Sequence, residues 1–360
     1  MVNIKRQYIV FKSFFISIIK TVLAVIRFRF SADAVTAEGG YTHLLNLFCL
    51  TGGWSNTILH IVLRQPKYTI AHAGILDLVR YRKYDEGRVQ LLNQLRDEGY
   101  VTVDNALNPQ SLEDILFFSK TNPGIAQRMD FEQIAPSKYT YFSPENPTAT
   151  KFSFSPSSVL QNRTVQKLLA DESFLDLAQS YLGGCPIIDD VQLWWSTSFK
   201  VSPDKEAAQY WHFDMNRPKW VKFFFYITDV TTDTGPHCFI RGTHVDGAIP
   251  WPIRKLGYTR LDDHQVLSTY PSSDILEFTG AAGTLIIEDT RGLHKAKNLI
   301  AGNRLILEIT YCSSLFGGSF NNIEVPSNAD SLLLEKINNM PQIYQVFRIV
   351  PPVNILDKAD

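Results

Sequence analysis

The sequence predicts a mainly β protein, a sandwich or barrel with flanking helices, and three observations support this. From residue 185 onward, short runs rich in Val, Ile, Phe, Trp and Tyr (PIIDDVQLWWSTSF, KWVKFFFYITDV, HCFIRGTH, GTLIIED, NRLILEITYC) are separated by turn residues, mostly with no helical pattern between them. Ahead of them lie segments with helical spacing and capping residues. The chain has 360 residues, 45% hydrophobic and 12% aromatic, enough to bury a substantial core. With 35 basic against 36 acidic residues, it lacks the global positive field that a nucleic-acid binder relies on. Cys49, Cys185, Cys238 and Cys312 are widely spaced with no C-x-x-C pair, so they read as reduced, buried thiols in a reducing, cytoplasmic setting.

Residues 1–85 form a separate basic, apolar helical segment. Lys5, Arg6, Lys12, Lys20, Arg27 and Arg29 fall within the first 30 residues, which hold no acid. Ser13, Ser17, Lys20, Ala24 and Arg27 recur at spacings of four and three, a narrow polar stripe on an otherwise apolar helix. Lys20 interrupts the apolar run, which argues against both a spanning helix and a cleaved signal peptide. The competing expectations are packing on the protein's own core or on another subunit, and a helix lying at a membrane interface with its cations meeting anionic headgroups. The second is expected, with peripheral attachment through residues 1–63 at the inner face of a membrane. The stretch 39–63 has no Lys, Arg, Asp or Glu, and its Gly52-Gly53 break reads as two short apolar helices around a turn.

Residues 86–320 have the texture of a folded domain. EGRVQLLNQLRDEGYVTVDNAL predicts a helix stopped near Gly99 and a strand from Tyr100 to Val103. Asn108 and Pro109 start a further helix, and TVQKLLADESFLDLAQSYLGG gives two short ones closed by Gly183-Gly184. Residues 321–360 are expected to form a C-terminal helical tail on the core.

The segment QYWHFDMN raises the question of chemistry. If it is a strand, His212 and Asp214 share a face and aim at one spot, which suggests a metal; the same pair also fits an ordinary buried hydrogen bond. Farther on, GTLIIEDTRGLHKAKN places His294 shortly after Asp289, and Arg304 opens a strand ten residues later. Two histidines and one carboxylate on one face of an octahedron leave three positions open, which suits Fe(II) that must take a bidentate cosubstrate and dioxygen. An oxo-acid cosubstrate needs a cation at its distal carboxylate, and Arg supplies the planar fork that Lys cannot. Lys222 sits in an apolar strand and, if it faces inward, needs a charged partner such as the cosubstrate or substrate. His237 and His244 are expected as turn and strand-end residues outside the site, and Trp194, Trp195 and Tyr210 as core or pocket wall.

The blocks QLRDEGYVTVDNALNPQSL, QYWHFDMN, YITDVTTDTGPHCFIRGTH and EDTRGLHKAKNLIAGNRLILEITY resemble, in this order, those of the phytanoyl-CoA dioxygenase family of Fe(II)/2-oxoglutarate oxygenases. The resemblance spans about residues 86 to 318, and nothing in the first 80 or so matches it. It implies a double-stranded β-helix, a jelly-roll core of cupin type. It also implies His212, Asp214 and His294 as catalytic iron ligands, and Arg304 as the residue holding the distal carboxylate of 2-oxoglutarate. The implied reaction uses O2 to hydroxylate an unactivated C–H bond, with release of succinate and CO2. Halogenating relatives replace the carboxylate ligand with a small residue, so Asp214 favours hydroxylation. The substrate class is a small molecule, with a lipid or lipid-linked glycan preferred because of the apolar N-terminus. The alternatives are a non-catalytic jelly roll that binds metal or ligand, and a hydrolytic metal site, for which Arg304 would have no use.

Overall fold

A computed structural model describes residues 2–31, 35–69, 84–127, 139–199, 203 and 207–352. Its strands are β1 (Tyr100–Val103), β2 (Gly124–Gln127), β3 (Tyr139–Thr140), β4 (Lys151–Phe154), β5 (Ile187–Thr197), β6 (Trp220–Tyr226), β7 (His237–Ile240), β8 (Ile275–Phe278), β9 (Leu285–Glu288), β10 (His294–Ala296), β11 (Asn303–Cys312), β12 (Ile323–Pro326) and β13 (Phe347–Val350). One antiparallel sheet runs β1-β9-β6-β11-β5-β4-β2-β3, and a smaller one runs β10-β7-β8. Trp211 and His212 join the smaller sheet through a bridge from His212 to His294. Eight segments in chain order therefore interleave: the first, third, sixth and eighth (β5, β6, β9, β11) in one sheet, the second, fourth, fifth and seventh in the other. That pairing is a jelly roll, the double-stranded β-helix expected from the sequence.

Strand parity decides which side chains enter the space between the sheets. On β6, Phe223 and Phe225 belong to the main core and meet Phe174 of a covering helix, so Lys222, Phe224 and Tyr226 turn inward. On β11 the inward set is Arg304, Ile306, Glu308 and Thr310, with Ile306 in the same inner cluster as Phe224 and Tyr226. Both strands are central and covered on both sides, which is why they read as nearly continuous apolar runs.

The helices begin and end where their side chains satisfy terminal backbone groups. Helices α1 (Val2–Phe30), α2 (Gly40–Thr51) and α3 (Trp54–Leu63) precede α4 (Tyr84–Glu98) and α5 (Pro109–Thr121). Asn108 caps α5 by accepting from the Ser111 N–H at 2.8 Å, with Pro109 in the first turn. The helix Glu172–Leu182 starts on Asp171 and stops at Gly183, whose N–H donates to the Gln179 carbonyl. All four cysteines are buried and free.

Two expectations need correction. The C-terminal tail is helical only over Ser331–Asn339, where Pro341 follows shortly. Phe347–Val350 is instead a strand paired in parallel with β12. The polar stripe of α1 is split: Ser17 and Ala24 are buried on the neighbouring helices, while Lys20 and Arg27 are exposed. No helix among the described residues is long and apolar enough to cross a membrane.

Candidate active site

The segment carrying His212 and Asp214 is not a regular strand, because only Trp211 and His212 make bridges. Asp214 is instead held by its N–H donating to the Thr290 carbonyl at 2.8 Å. The shared aim survives through cross-strand pairing. His212 and His294 exchange both backbone hydrogen bonds, at 3.0 and 2.8 Å, and directly opposed residues present their side chains on one face. Their rings lie 4.2 Å apart, centre to centre. The chain reaches His294 through a turn locked by Asp289, which is fully buried, receives Arg291 through paired guanidinium bonds and accepts from the Tyr181 hydroxyl at 2.6 Å.

Each imidazole is oriented by a carbonyl. Nδ1 of His212 lies 2.8 Å from the Tyr210 carbonyl, and Nδ1 of His294 lies 3.0 Å from that of Gly292. A carbonyl only accepts, so Nδ1 carries the hydrogen in both rings and Nε2 keeps a free lone pair. Nε2 of His212 is 3.8 Å from Asp214 Oδ1, and Nε2 of His294 is 3.6 Å from Oδ2. Each of the three residues offers one ligand atom, all within 4.8 Å of one another, close enough to share a metal ion. Burial, and for His212 then its neighbour His294, lowers the pKa of both rings, His294 to about 4, so both are neutral donors near pH 7. Asp214 is held well below the usual carboxylate range; burial pulls it upward, but Lys222 and the two histidines outweigh that.

Lys222 does face inward, but its partners are protein carboxylates. Its Nζ lies 3.1 Å from Asp214 Oδ2 and 3.1 Å from Glu308 Oε1. Burial alone would lower the lysine's pKa, and the two carboxylates, Asp214 first, raise it instead. The same three residues border a cavity of about 130 Å3, whose wall also carries Asp190, Gln192 and Asn216.

Arg304 is 1% exposed, and among the described residues its only side-chain hydrogen bond runs from Nη2 to Ser196 Oγ at 3.3 Å. Its Nε and Nη1 are buried, and among the described residues they have no partner and no carboxylate lies within ion-pair distance. Burial first, then the charges of Arg304 and Lys222, lower the pKa of His237 to about 3. His237 borders the site rather than standing apart from it, since its ring lies 5.6 Å from that of His294. Its Nε2 is 2.8 Å from Glu288, whose carboxyl burial pushes well above its ordinary value, so the two form a neutral buried pair. His244 lies outside, bonded to the Arg96 carbonyl. Trp195 is core, stacked on Phe142, Trp194 is partly buried beneath Lys151, and Tyr210 serves the site through its carbonyl.

Sequence reasoning missed Glu308 and Glu288, although the alternation Arg304, Ile306, Glu308 along NRLILEITY was a visible signal that all three share a face.

A jelly roll with two imidazoles and a carboxylate converging between its sheets defines the class of the mononuclear non-haem iron oxygenases, whose facial ligand set leaves coordination positions open. The family profile described as phytanoyl-CoA dioxygenase matches residues 95–300, more than half of the chain, and the chain belongs to that family. No curated protein matches it in sequence. Among solved structures it is similar to EctD from S. alaskensis with 2-oxoglutarate and 5-hydroxyectoine (16% identity, TM-score 0.43, 70% of this chain and 83% of that one). It is also similar to HygX from Streptomyces hygroscopicus with nickel and 2-oxoglutarate (14%, 0.42, 68% and 92%). A third is the 2-oxoglutarate-dependent epimerase SnoN of nogalamycin biosynthesis (15%, 0.42, 63% and 83%).

Proposed function

We propose that this protein is an Fe(II)/2-oxoglutarate-dependent dioxygenase that hydroxylates an unactivated C–H bond in a lipid or lipid-linked glycan. The observation that carries this reading is Arg304: a buried guanidinium with two unpartnered nitrogens, on the inward face of the barrel that holds the His–Asp–His set. A buried cation without a counter-ion is costly, and an incoming dicarboxylate relieves that cost, whereas a hydrolytic metal site has no use for one.

The donor set fits the metal. Two neutral imidazoles and one carboxylate are the ligands that Fe(II) takes, and they cluster on one side of the space between the sheets. When bound, Fe(II) with 2-oxoglutarate and O2 supplies the oxidising power: one oxygen atom goes to the substrate as hydroxyl, the other to succinate, with release of CO2. The chain's own residues do the rest. His212, Asp214 and His294 hold the metal; Tyr210 and Gly292 fix the imidazoles through their carbonyls; Lys222 steadies Asp214 from behind, itself braced by Glu308. Arg304 takes the distal carboxylate, and Phe224, Ile306 and Tyr226 exclude water around it. The hydrogen-bonding wall of the cavity beside Asp214 suits hydroxyl or amine groups of the substrate. Retention of Asp214 supports hydroxylation over halogenation, as the carboxylate fills the place a halide would need.

The test supplies Fe(II), O2, ascorbate and 2-oxoglutarate with a total cellular lipid extract in detergent, and reads succinate together with a gain of one oxygen atom in a lipid component. Expected is succinate release that requires 2-oxoglutarate and disappears in Asp214→Ala. Iron binding with no succinate under any condition would contradict the oxygenase reading.

A further inference from the structure

Helix α1 is built inside out for a protein in water. Its small and polar residues are the buried ones: Ser17 is 1% exposed and Thr21 2%, Ser17 lies 3.2 Å from His43 of α2, and Ala24 packs with Leu44 and Leu63. Most of its large apolar residues face outward, with Ile19 57% exposed and Phe30 87%, while Phe28 and Val25 pack inward. At about 100° per residue, Phe15, Ile16, Ile19, Val22, Leu23, Ile26 and Phe30 form one continuous arc. By the same count, Lys20 and Arg27 lie along one edge of the arc and Arg29 along the other. Lys12 falls within the arc near its N-terminal end, where a long stem lets its ammonium reach outward.

Helix α3 extends the surface. Trp54, Ile58, Ile61 and Val62 are exposed on it, and Arg29 donates to the Val62 carbonyl, so the two apolar rows adjoin. Between residues 39 and 63 there is no charged side chain. The three helices are tied to the barrel by ordinary packing: Phe28 lies edge-on to Phe316, His60 is 2.8 Å from Ser313, and Asn56 reaches Met215.

We infer that α1 and α3 form a docking surface for an anionic lipid bilayer, entered by the apolar rows of both helices, bordered by Lys20 and Arg27 and carrying Arg29 at the seam between them. An apolar surface of this extent marks a membrane or a protein partner. Lys20 and Arg27 along its edge and Arg29 at the seam, with no acid in the first 30 residues, match a sheet of anionic headgroups above an acyl interior. The surface also leads to the site. Tyr41 of α2 bonds Asn216, two residues beyond Asp214, at 3.3 Å. The chain that follows α1, Val35–Gly39, lines a groove of about 900 Å3 that shares Ser319 and Phe320 with the cavity beside Asp214. The groove thus adjoins the cavity at Asp214 and offers a bilayer-anchored substrate a direction of approach to the site; this last step, unlike the docking, rests on the oxygenase reading.

The test is co-sedimentation of the full-length protein with phosphatidylcholine vesicles, with and without about 30% phosphatidylglycerol, beside sedimentation velocity without lipid. Expected is binding to the anionic vesicles that weakens with salt. It should fall about tenfold or more in Phe15→Ser/Ile19→Ser/Trp54→Ser, with Fe(II) affinity unchanged. Lys20→Glu/Arg27→Glu should lose the preference for anionic lipid and keep residual binding. No vesicle binding, with a dimer that the triple serine variant dissociates, would assign the surface to a second copy and overturn the inference; no binding by a monomer would overturn it too. Neither readout depends on turnover, so failure here leaves the oxygenase reading standing.

Discussion

Replacing Arg304 by Met should make the unliganded protein more stable and remove most of the stabilisation that 2-oxoglutarate gives. In the absence of 2-oxoglutarate, Nε and Nη1 of Arg304 are buried without partners, and each such donor costs about 1–3 kcal/mol. Methionine is apolar, of similar length and adaptable, so it removes both penalties and gives up one 3.3 Å bond to Ser196, worth about 1 kcal/mol. After imperfect filling of the space, a net gain of roughly 1–3 kcal/mol is expected. Cosubstrate offsets that gain. At a concentration 100 times its Kd, 2-oxoglutarate adds about 2.7 kcal/mol to the parent protein. The variant, having lost a paired charge–charge contact of about 2–5 kcal/mol, binds about 30-fold or more weakly and gains at most about 0.9 kcal/mol at that concentration. Urea denaturation under argon with Fe(II), with and without 2-oxoglutarate, measures all four stabilities. A variant that is less stable without cosubstrate and equally stabilised by it would refute the assignment of Arg304 as a cation waiting for a carboxylate.

Three other outcomes follow from the same geometry. Lys222→Met leaves Glu308 as a buried, unpaired carboxylate, so stability should drop by about 3–5 kcal/mol, and adding Glu308→Gln should restore most of it while Fe(II) affinity stays about 10-fold or more below the parent's; denaturation and metal titration of both variants decide this. His60, buried against Ser313, has its pKa lowered by burial to about 3, against 6.5 unfolded. The unfolded chain takes up this proton below pH 6.5 while the folded one does not, so the residue's stabilising contribution is full above pH 6.5 and declines toward pH 3. The stability advantage of the parent over His60→Gln should therefore shrink by at most about 1.4 kcal/mol for each pH unit below 6.5, read as urea midpoints at pH 7.5 and 5.5. Gly317 has φ near +130°, and a Cβ there would lie 2.0 Å from the Asn216 carbonyl oxygen; Gly242, at φ +73°, has open space around it. Gly242→Ala should cost only the left-handed backbone penalty of about 1 kcal/mol, whereas Gly317→Ala should cost more and weaken metal binding by displacing the chain beside Asp214.

Much of the fold was legible because its signals are local. The cap at Asn108, the stop at Gly183 and the apolar runs of β5, β6, β9 and β11 all express backbone satisfaction and burial that the sequence states directly. The short strands β8, β10 and β13 were not visible, since three or four residues leave no room for a pattern and their pairing is set by distant partners. The site divides in the same way. His212, Asp214, His294 and Arg304 could be assembled from type, order and turns, whereas the inward turn of Lys222 could not be read from a strand whose two faces are both apolar. Its partner Glu308 lies 86 positions along the chain and comes near only through the pairing of β6 with β11. The stripe on α1 was visible as a pattern, but which face would be buried was not, because the usual rule puts apolar residues inward and this helix reverses it.

The most direct test of the central claim is anaerobic titration of the purified protein with Fe(II) and then 2-oxoglutarate, following the visible metal-to-ligand charge-transfer band of the chelate. The parent protein should develop the band, His294→Ala should not, and Arg304→Ala should need far more cosubstrate to reach it. Iron bound at the site with no band at any concentration of 2-oxoglutarate would contradict the assignment of His212, Asp214, His294 and Arg304 as one oxygenase centre.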